Sequence, residues 1–522
     1  MDYGKLNIGT FLKQTALNWP DQEAIVDGEK RFSWREFNEK VNSLANALLN
    51  LGIKKGDRVG YLFFNQWESL CCYFAVVKIG ALVVPLNFRL VGREIKYQLQ
   101  NSGVTIFIFG EAFADLVHSI QPELPQITHY ICAGDRVPDN LLTFESLIGK
   151  YPGSEPQFPW KVTEEDAAGI HYTSGTTGLP KGAVTRHYSG IWTAVCKIIS
   201  GEYLNSTARY LAVLPMFHRG ILENTHLGAT MVGCAQVIMR NFDPQRALEL
   251  IEKEKITIAY FVPAMSIAIL NLPNLKKYDL SSLKRYFTGT APFPDEVRVR
   301  LEKELNIPPN IISNGYGITE ALFNSYIMPE HISRKINSVG KPGLTVEIKI
   351  LDDRNNELPP GQVGEITVKG APVFKGYWNN PEGTAEVTWQ HEGFNWYRSG
   401  DLGYKDEDGF LYITDRKKDM IKSGSENVYS VEVENVIHEH QKVAEAAVVG
   451  KPDEKWGELV TAVVVPKPGE QLQEQEIIEF CKGKLAGYKR PRLVKFMSAL
   501  PRNSTGKILK AELREMIKQG KL

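Results

Sequence analysis

The chain has 522 residues, 43% of them hydrophobic, so it can bury a large core, exceeds one compact unit and is not a disordered protein; two or three domains are expected. Its 61 basic and 61 acidic residues cancel, which removes any global electrostatic ground for a nucleic-acid or anionic-membrane partner and favours a small ligand.

The opening stretch MDYGKLNIGTFLKQTALNWP has no basic start, apolar centre and small-residue cleavage site, so no signal peptide is read. The cysteines (Cys71, Cys72, Cys132, Cys196, Cys234, Cys481) lack metal-ligand spacing and read as reduced core residues of a cytoplasmic protein. Leu70 to Leu86 is apolar enough to approach a membrane span, but Lys78, Gly80 and Pro85 favour a buried helix ending near Gly80 and then a buried strand. Apolar runs recur along the first 330 residues: RVGYLFF, ALVVPL, VTIFIFG, HYICAG, RYLAVLP, AQVIMR, ITIAYFVP and LKRYFTG. Amphipathic sequence separates them, so parallel sheets covered by helices are predicted, with functional loops after strand carboxyl ends.

The stretch Tyr172 to Gly182, YTSGTTGLPKG, is built to hold phosphate. Glycines let backbone amides approach an anion, hydroxyls of Ser174, Thr176 and Thr177 can donate to it, and Lys181 adds charge. It is no Walker loop, because Pro180 and Gly182 flank the lysine where Gly and Ser or Thr would stand. A flexible surface loop is the alternative on composition alone. Three segments have the look of site loops: LPMFHRG brings His218 and Arg219 together after the run RYLAV, TGTAP (Thr288 to Pro292) follows LKRYF, and NGYGITE (Asn314 to Glu320) combines flexible glycines, an aromatic, a hydroxyl and a carboxylate. From about Ser338 short strands and turns predict a β-rich subdomain, within which YRSGDLG places Asp401 in a tight glycine turn. DRKKDMIKSGSEN then reads as a connection to a compact α+β domain. Nine basic and no acidic residues lie between Phe480 and Ala511; most read as solvated lysines and arginines, but Lys507 ends the polar loop PRNSTGK and can swing a cation into a site.

YTSGTTGLPKG, YGITE, SGDLG, DRKKD and STGK, in this order and spacing, resemble the adenylate-forming superfamily, in particular its acyl-CoA synthetases. The resemblance implies an α/β fold: a large N-terminal domain, residues 1–415, of two α/β subdomains plus a small β-barrel at about 335–415. A hinge at 416–420 and a mobile α+β lid at 421–522 complete it. It implies that a carboxylic acid and Mg-ATP give acyl-AMP and pyrophosphate, and that the thiol of coenzyme A then displaces AMP, reversibly when product levels favour it. No protein nucleophile is needed, in keeping with the absence of a Gly-x-Ser-x-Gly elbow.

Roles implied by the resemblance are as follows. Thr173, Ser174, Gly175, Thr176, Thr177, Gly178 and Lys181 hold the departing phosphates, and Lys507 meets charge developing at the α-phosphate. Thr319 touches that phosphate and Glu320 holds Mg²⁺. Gly289, Thr290, Ala291, Asn314, Gly315 and Tyr316 surround adenine, while Asp401 binds both ribose hydroxyls beside Arg416. His218 borders the carboxylate. Lys418 is the hinge about which the lid turns between the half-reactions. In the second state Gly424 and Ser425 line a pantetheine tunnel, with Lys489 and Arg490 near the CoA phosphates. Relatives commonly read GGENIYP where this chain has Gly424-Ser425-Glu426-Asn427-Val428-Tyr429-Ser430. The acid pocket is expected from His218 to His226, Val262 to Ile267, the TGTAP segment and residues 314–323, with Arg219 and Glu223 either paired with each other or shaping a pocket for a compact acid. Fatty, alicyclic and aromatic acids stay open. An amino-acid or carrier-loading adenylation enzyme is the alternative, but it anchors the amine with an Asp absent from FHRG. A homodimer is compatible with the sequence.

Overall fold

The computed structural model describes residues 6–137, 141–173, 179–200, 205–291, 293–423, 426–502 and 508–522. The fold is mixed α/β, with a large N-terminal domain and a smaller C-terminal one. Each of the eight apolar runs contains a strand: Arg58–Leu62, Leu82–Pro85, Ile106–Gly110, His129–Ala133, Arg209–Ala212, Ala235–Ile238, Ile258–Tyr260 and Arg285–Gly289. Their near-continuous apolarity suits strands buried on both faces, and they pair in parallel. The ambiguous segment is the helix Trp67–Lys78, buried on every side, followed by Leu82–Pro85; among the described residues no helix is long and apolar enough to cross a membrane.

These strands fall into two sheets. One contains Leu82–Pro85, Arg58–Leu62, Ile106–Gly110 and His129–Ala133, and beside Leu82–Pro85 it turns antiparallel at the hairpin of Ala167–Thr173 and Lys181–Arg186. The other runs in parallel through Ala235–Ile238, Arg209–Ala212, Ile258–Tyr260, Arg285–Gly289 and Ile312–Ile318. At Ile312–Ile318 it reverses into the antiparallel strand Ala321–Ile327 and continues through Ser338–Pro342, Leu411–Arg416, Phe394–Lys405, Gly364–Gly370 and Val346–Leu351. The β-rich region expected from Ser338 is thus continuous in hydrogen bonding with an α/β sheet. The short strand Gly376–Tyr377 ties it to the first sheet by pairing with Lys181–Arg186.

Beyond residue 420 a separate sheet carries the strands Ile421–Ser423, Glu426–Val428, Val443–Asp453, Gly457–Pro466 and Leu493–Phe496. Its faces bury two clusters, one around Val433, Ile437, Val448 and Val464, the other around Val449, Val463, Leu513 and Ile517. Both clusters draw only on residues from 421 onward, whereas the main core draws on residues from Ile8 to Phe410.

Two expectations of local form are corrected. Asp401 does not occupy a tight turn: it lies within the long strand Phe394–Lys405, where Gly400 at φ +69 and shifted registers with both neighbouring strands mark bulges. The glycines of NGYGITE likewise form the strand Ile312–Ile318, leaving only Thr319 and Glu320 at the hairpin turn.

Candidate active site

The place where the second sheet changes from parallel to antiparallel is where side chains converge on a cavity of about 880 Å³. Thr319 and Glu320, at the hairpin turn, line it together with Gly315 and Tyr316 from the preceding strand. The other sheet contributes Thr173 and Lys181, which face each other across the ends of their antiparallel pair. Ser174, Gly175, Thr176, Thr177 and Gly178 lie outside the described residues, as do Gly424, Ser425 and Lys507.

Glu320 is buried, and burial raises its carboxyl above the usual range although the Tyr377 hydroxyl donates to it at 2.8 Å. The Lys181 ammonium lies 5.1 Å from the centroid of the same Tyr377 ring, so one tyrosine connects Lys181 to Glu320. Tyr377 was not singled out from the sequence; only the pairing of Gly376–Tyr377 with Ala183 and Val184 brings it here. Burial also pushes Tyr316 well above its ordinary value, assisted by Asp401, to which its hydroxyl donates at 2.6 Å. The other Asp401 oxygen is 3.1 Å from Arg416 Nε. Asp401 is only 3% exposed, so both partners cover it, while Tyr316, Ser399, Gly400 and Arg416 present the cavity surface in front.

Thr290 lines the cavity at φ +71, a left-handed conformation rare for a β-branched residue and one that concentrates at functional sites. Gly289 pairs with Gly315, and an added Cβ at Gly289 would stand 2.9 Å from both Gly315 O and the Tyr260 hydroxyl oxygen. Asn314 is buried, its side-chain oxygen accepting from Gly315 N at 2.9 Å. Neither Asn314, Gly289 nor Ala291 lines the main cavity; Ala291 borders a smaller one of about 130 Å³ between the helix Pro263–Leu270 and the C-terminal domain.

His218 lines the cavity, and burial together with Arg89 and His171 pushes its imidazole down to about 3. It is therefore neutral at physiological pH, and its Nε2 has no hydrogen-bond partner among the described residues. The next residues form a π-helical turn, Gly220–His226, of a kind frequent at functional sites. Arg219, which precedes its first residue, pairs with Glu223 inside it at 2.7 Å, both side chains at most 1% exposed. Burial alone would raise the Glu223 carboxyl, but Arg219 and His171 hold it down to about 2. Arg219 also donates to Thr319 O at 2.6 Å, to Ser189 Oγ at 3.0 Å and to Pro372 O at 3.1 Å. Of the two sequence readings for this pair, mutual pairing is present, and it buttresses the turn carrying Thr319 and Glu320.

The C-terminal domain closes the cavity with Ile508, Leu509, Lys510 and Ala511, beside Arg416, Lys417, Lys418 and Asp419 of the connection. Burial lowers the Lys418 ammonium. Lys489 and Arg490 are not at this cavity: Lys489 pairs with Glu432 at 2.7 Å and Arg490 Nε donates to Leu485 O. Lys482, Lys484, Arg502 and Lys510 of the basic run also pair with acids, so much of that charge is locally neutralised.

A family model described as AMP-binding enzyme matches residues 12–378, and its companion, AMP-binding enzyme C-terminal domain, matches residues 432–507. The chain belongs to the AMP-binding enzyme family. It is 36% identical over 511 residues to the feruloyl-CoA synthase of an Amycolatopsis species, covering 97% of this chain and 98% of the relative. It is also 36% identical over 515 residues to the long-chain-fatty-acid–CoA ligase FadD13 of Mycobacterium tuberculosis, covering 98% of each. The crystal structure of an anthranilate CoA ligase with anthranoyl-AMP superposes with a TM-score of 0.92 at 28% identity, covering 99% of this chain and 98% of that one. This member is an AMP-forming acyl-CoA synthetase, with ATP and coenzyme A as co-substrates and Mg²⁺ as its metal.

Proposed function

We propose that the 880 Å³ cavity is where this ligase adenylates a compact aromatic or alicyclic acid and passes it to coenzyme A, with the residue roles the motifs imply. The observation that carries this is the convergence of Lys181, Tyr316, Thr319, Glu320, Arg416 and residues 508–511 on one cavity from three separate parts of the chain. On this reading Lys181 and the loop before it hold the phosphates that leave, and Thr319 donates to the α-phosphate. Lys507, next in sequence to the residues that close the cavity, neutralises charge gathering on it. Attack at phosphorus builds no bond to the protein, so positioning and electrostatics are the protein's whole contribution. Tyr316 flanks adenine. A ribose diol reaches Asp401 by taking over the bonds now made by Tyr316 and Arg416.

Glu320 suits Mg²⁺, a hard cation that typically takes one or two carboxylates and fills its shell with phosphate oxygens and water. Tyr377 engages one of its two oxygens, and no cluster of three metal-binding side chains occurs among the described residues, so on this reading Glu320 gives its other oxygen to the ion. When bound, the ion offsets phosphate charge.

The acid's place is supported by His218, Gly220, Ile221, Asn224, Val262 and Phe287, a mostly apolar wall with Tyr260 beside it. The Asn224 side-chain oxygen is buried and has no hydrogen-bond partner among the described residues, and the Lys197 ammonium stands 5.0 and 4.3 Å from the ring centroids of Tyr260 and Phe287. An aryl or alicyclic acid carrying a hydroxyl or amine donor matches that wall better than a bare alkyl chain, since an unmet buried amide oxygen disfavours apolar occupants. We place the large domain at 1–415, the hinge at Lys418 and the lid at 421–522, which the separate buried clusters support. Six buried, free cysteines support a reducing, cytoplasmic setting.

The test is pyrophosphate exchange into ATP over aromatic, alicyclic, fatty and amino acids, followed by mass detection of CoA thioesters. Exchange and thioester with substituted aryl or alicyclic acids are expected. Turnover of long-chain fatty acids in preference to these would reverse the substrate assignment, and exchange without thioester would reverse the choice of acceptor.

A further inference from the structure

Asp415 and Ser430 lie on opposite sides of Lys418 in sequence and are bonded to each other. Asp415 belongs to the strand Leu411–Arg416, hydrogen-bonded into the large domain beside Phe394–Lys405. Ser430 is the first residue of the lid helix Ser430–His438. One Asp415 oxygen accepts from Ser430 N at 2.5 Å and from Ser430 Oγ at 2.7 Å, with Asp415 3% exposed and Ser430 fully buried. The other oxygen accepts from Arg416 N at 2.7 Å. The Ser430 hydroxyl, which donates to Asp415, in turn accepts from Lys510 Nζ. Lys510 also pairs with Glu434 at 2.7 Å, and Glu434 accepts from Val448 N at 2.7 Å. Arg514 reaches back to Asp419 of the connection at 2.7 Å.

We propose that Ser430 and Asp415 are positioning residues that latch the lid in the orientation where residues 508–511 close the nucleotide cavity, and so favour adenylation over thioester formation. This rests on the hinge reading given above. Lys510 and Glu434 both belong to the lid and keep their bond through any rotation, whereas the Asp415–Ser430 bonds span Lys418 and exist only while the lid stays in this orientation. Two donors on one buried carboxylate form a charge-assisted pair of bonds, and the Lys510 contact couples them to the segment at the cavity. A bond present in one orientation only biases the equilibrium toward it, and ligands that prefer the other orientation must overcome it. The motif GGENIYP that this segment resembles ends in proline at the position of Ser430, and proline has neither an N–H nor a hydroxyl with which to form such a latch.

Ser430→Pro removes both donors at a helix-starting position that tolerates proline, and Tyr429 before it already has the extended backbone proline requires, at φ −83 and ψ 117. Ser430→Ala removes only the hydroxyl. In the full-length enzyme, pyrophosphate exchange measures adenylation, and thioester formation from supplied acyl-AMP measures the second half-reaction. The ratio of adenylation to thioester rates is expected to fall about tenfold in Ser430→Pro and by a smaller factor in Ser430→Ala. Equal losses in both half-reactions, or an unchanged ratio in both variants, would overturn the latch. Absence of exchange in the wild-type protein with every acid would instead overturn the ligase reading on which the latch rests.

Discussion

Arg219→Met tests whether the pair beneath the hairpin turn supports both stability and chemistry. Its guanidinium is fully buried and meets four acceptors: Glu223, Thr319 O, Ser189 Oγ and Pro372 O. Methionine fills most of the volume but leaves the Glu223 carboxylate, among the described residues, with Thr185 Oγ1 at 2.9 Å and His171 Nε2 at 3.5 Å. Breaking a buried pair from one side costs about 3–5 kcal/mol, because a charge is stranded away from water. Replacing both partners by apolar side chains removes that stranded charge, so Arg219→Met with Glu223→Leu is expected to cost at least ~2 kcal/mol less than the two single changes added together. Urea denaturation of the two single variants and the double variant, followed by tryptophan fluorescence, closes the cycle. Adenylation is expected to stay impaired in the double variant, since Thr319 O has lost its donor in either case. Additive destabilisation, or a loss below ~1 kcal/mol for Arg219→Met, would refute the reasoning.

Burial is the main cause that lowers His187 and His226 to about 4 and His218 to about 3, against an unfolded value near 6.5. Their stabilising contribution is complete above pH 6.5 and is lost as pH falls toward those folded values, because the unfolded chain takes up the protons first; each withdraws roughly 2 kcal/mol by pH 4.5. Glu68, raised to about 7 chiefly by burial, works in the opposite direction over the same window and offsets about one of them. Urea midpoints measured from pH 7.5 to 4.5 should therefore fall, and a flat profile would contradict these burial states. Asp401→Ala leaves the Tyr316 hydroxyl and Arg416 without their acceptor and should weaken ATP binding by about 10-fold or more, measured by calorimetry; unchanged affinity would remove its ribose role. Gly340→Ala should prevent accumulation of folded protein or lower the melting temperature by several degrees, since at φ +86 its Cβ would fall 1.7 Å from Tyr326 O; a wild-type melting curve would contradict the path of the strand Ser338–Pro342.

Much of this architecture is legible in the linear chain, for reasons that are local. Runs such as VTIFIFG and ALVVPL are almost wholly apolar because strands covered on both faces have no solvent side. YTSGTTGLPKG stands out in the sequence because it packs glycines, hydroxyls and a cation into one short stretch, the means by which a loop can hold phosphate. Composition misleads where the same residues serve a different backbone: the glycines around Asp401 suggest a turn, but strands on both sides hold the segment extended and Gly400 becomes a bulge. The polar set Arg219, Glu223 and His226 could have lined a pocket for a compact acid or paired internally, and only packing of the π-helical turn against the hairpin decides the pairing.

The sequence by itself determined the family, the two-part organisation and several segments that meet at one cavity, since each depends on residue types at fixed spacing. Tertiary structure alone decided which distant side chains meet. Tyr377 joins Glu320 across 57 positions, Asp401 meets Tyr316 across 85, and Ser430 meets Asp415 across the hinge. No local pattern encodes such partners, because a hydrogen bond between remote residues depends on how whole sheets pack and not on the identity of neighbours in the chain.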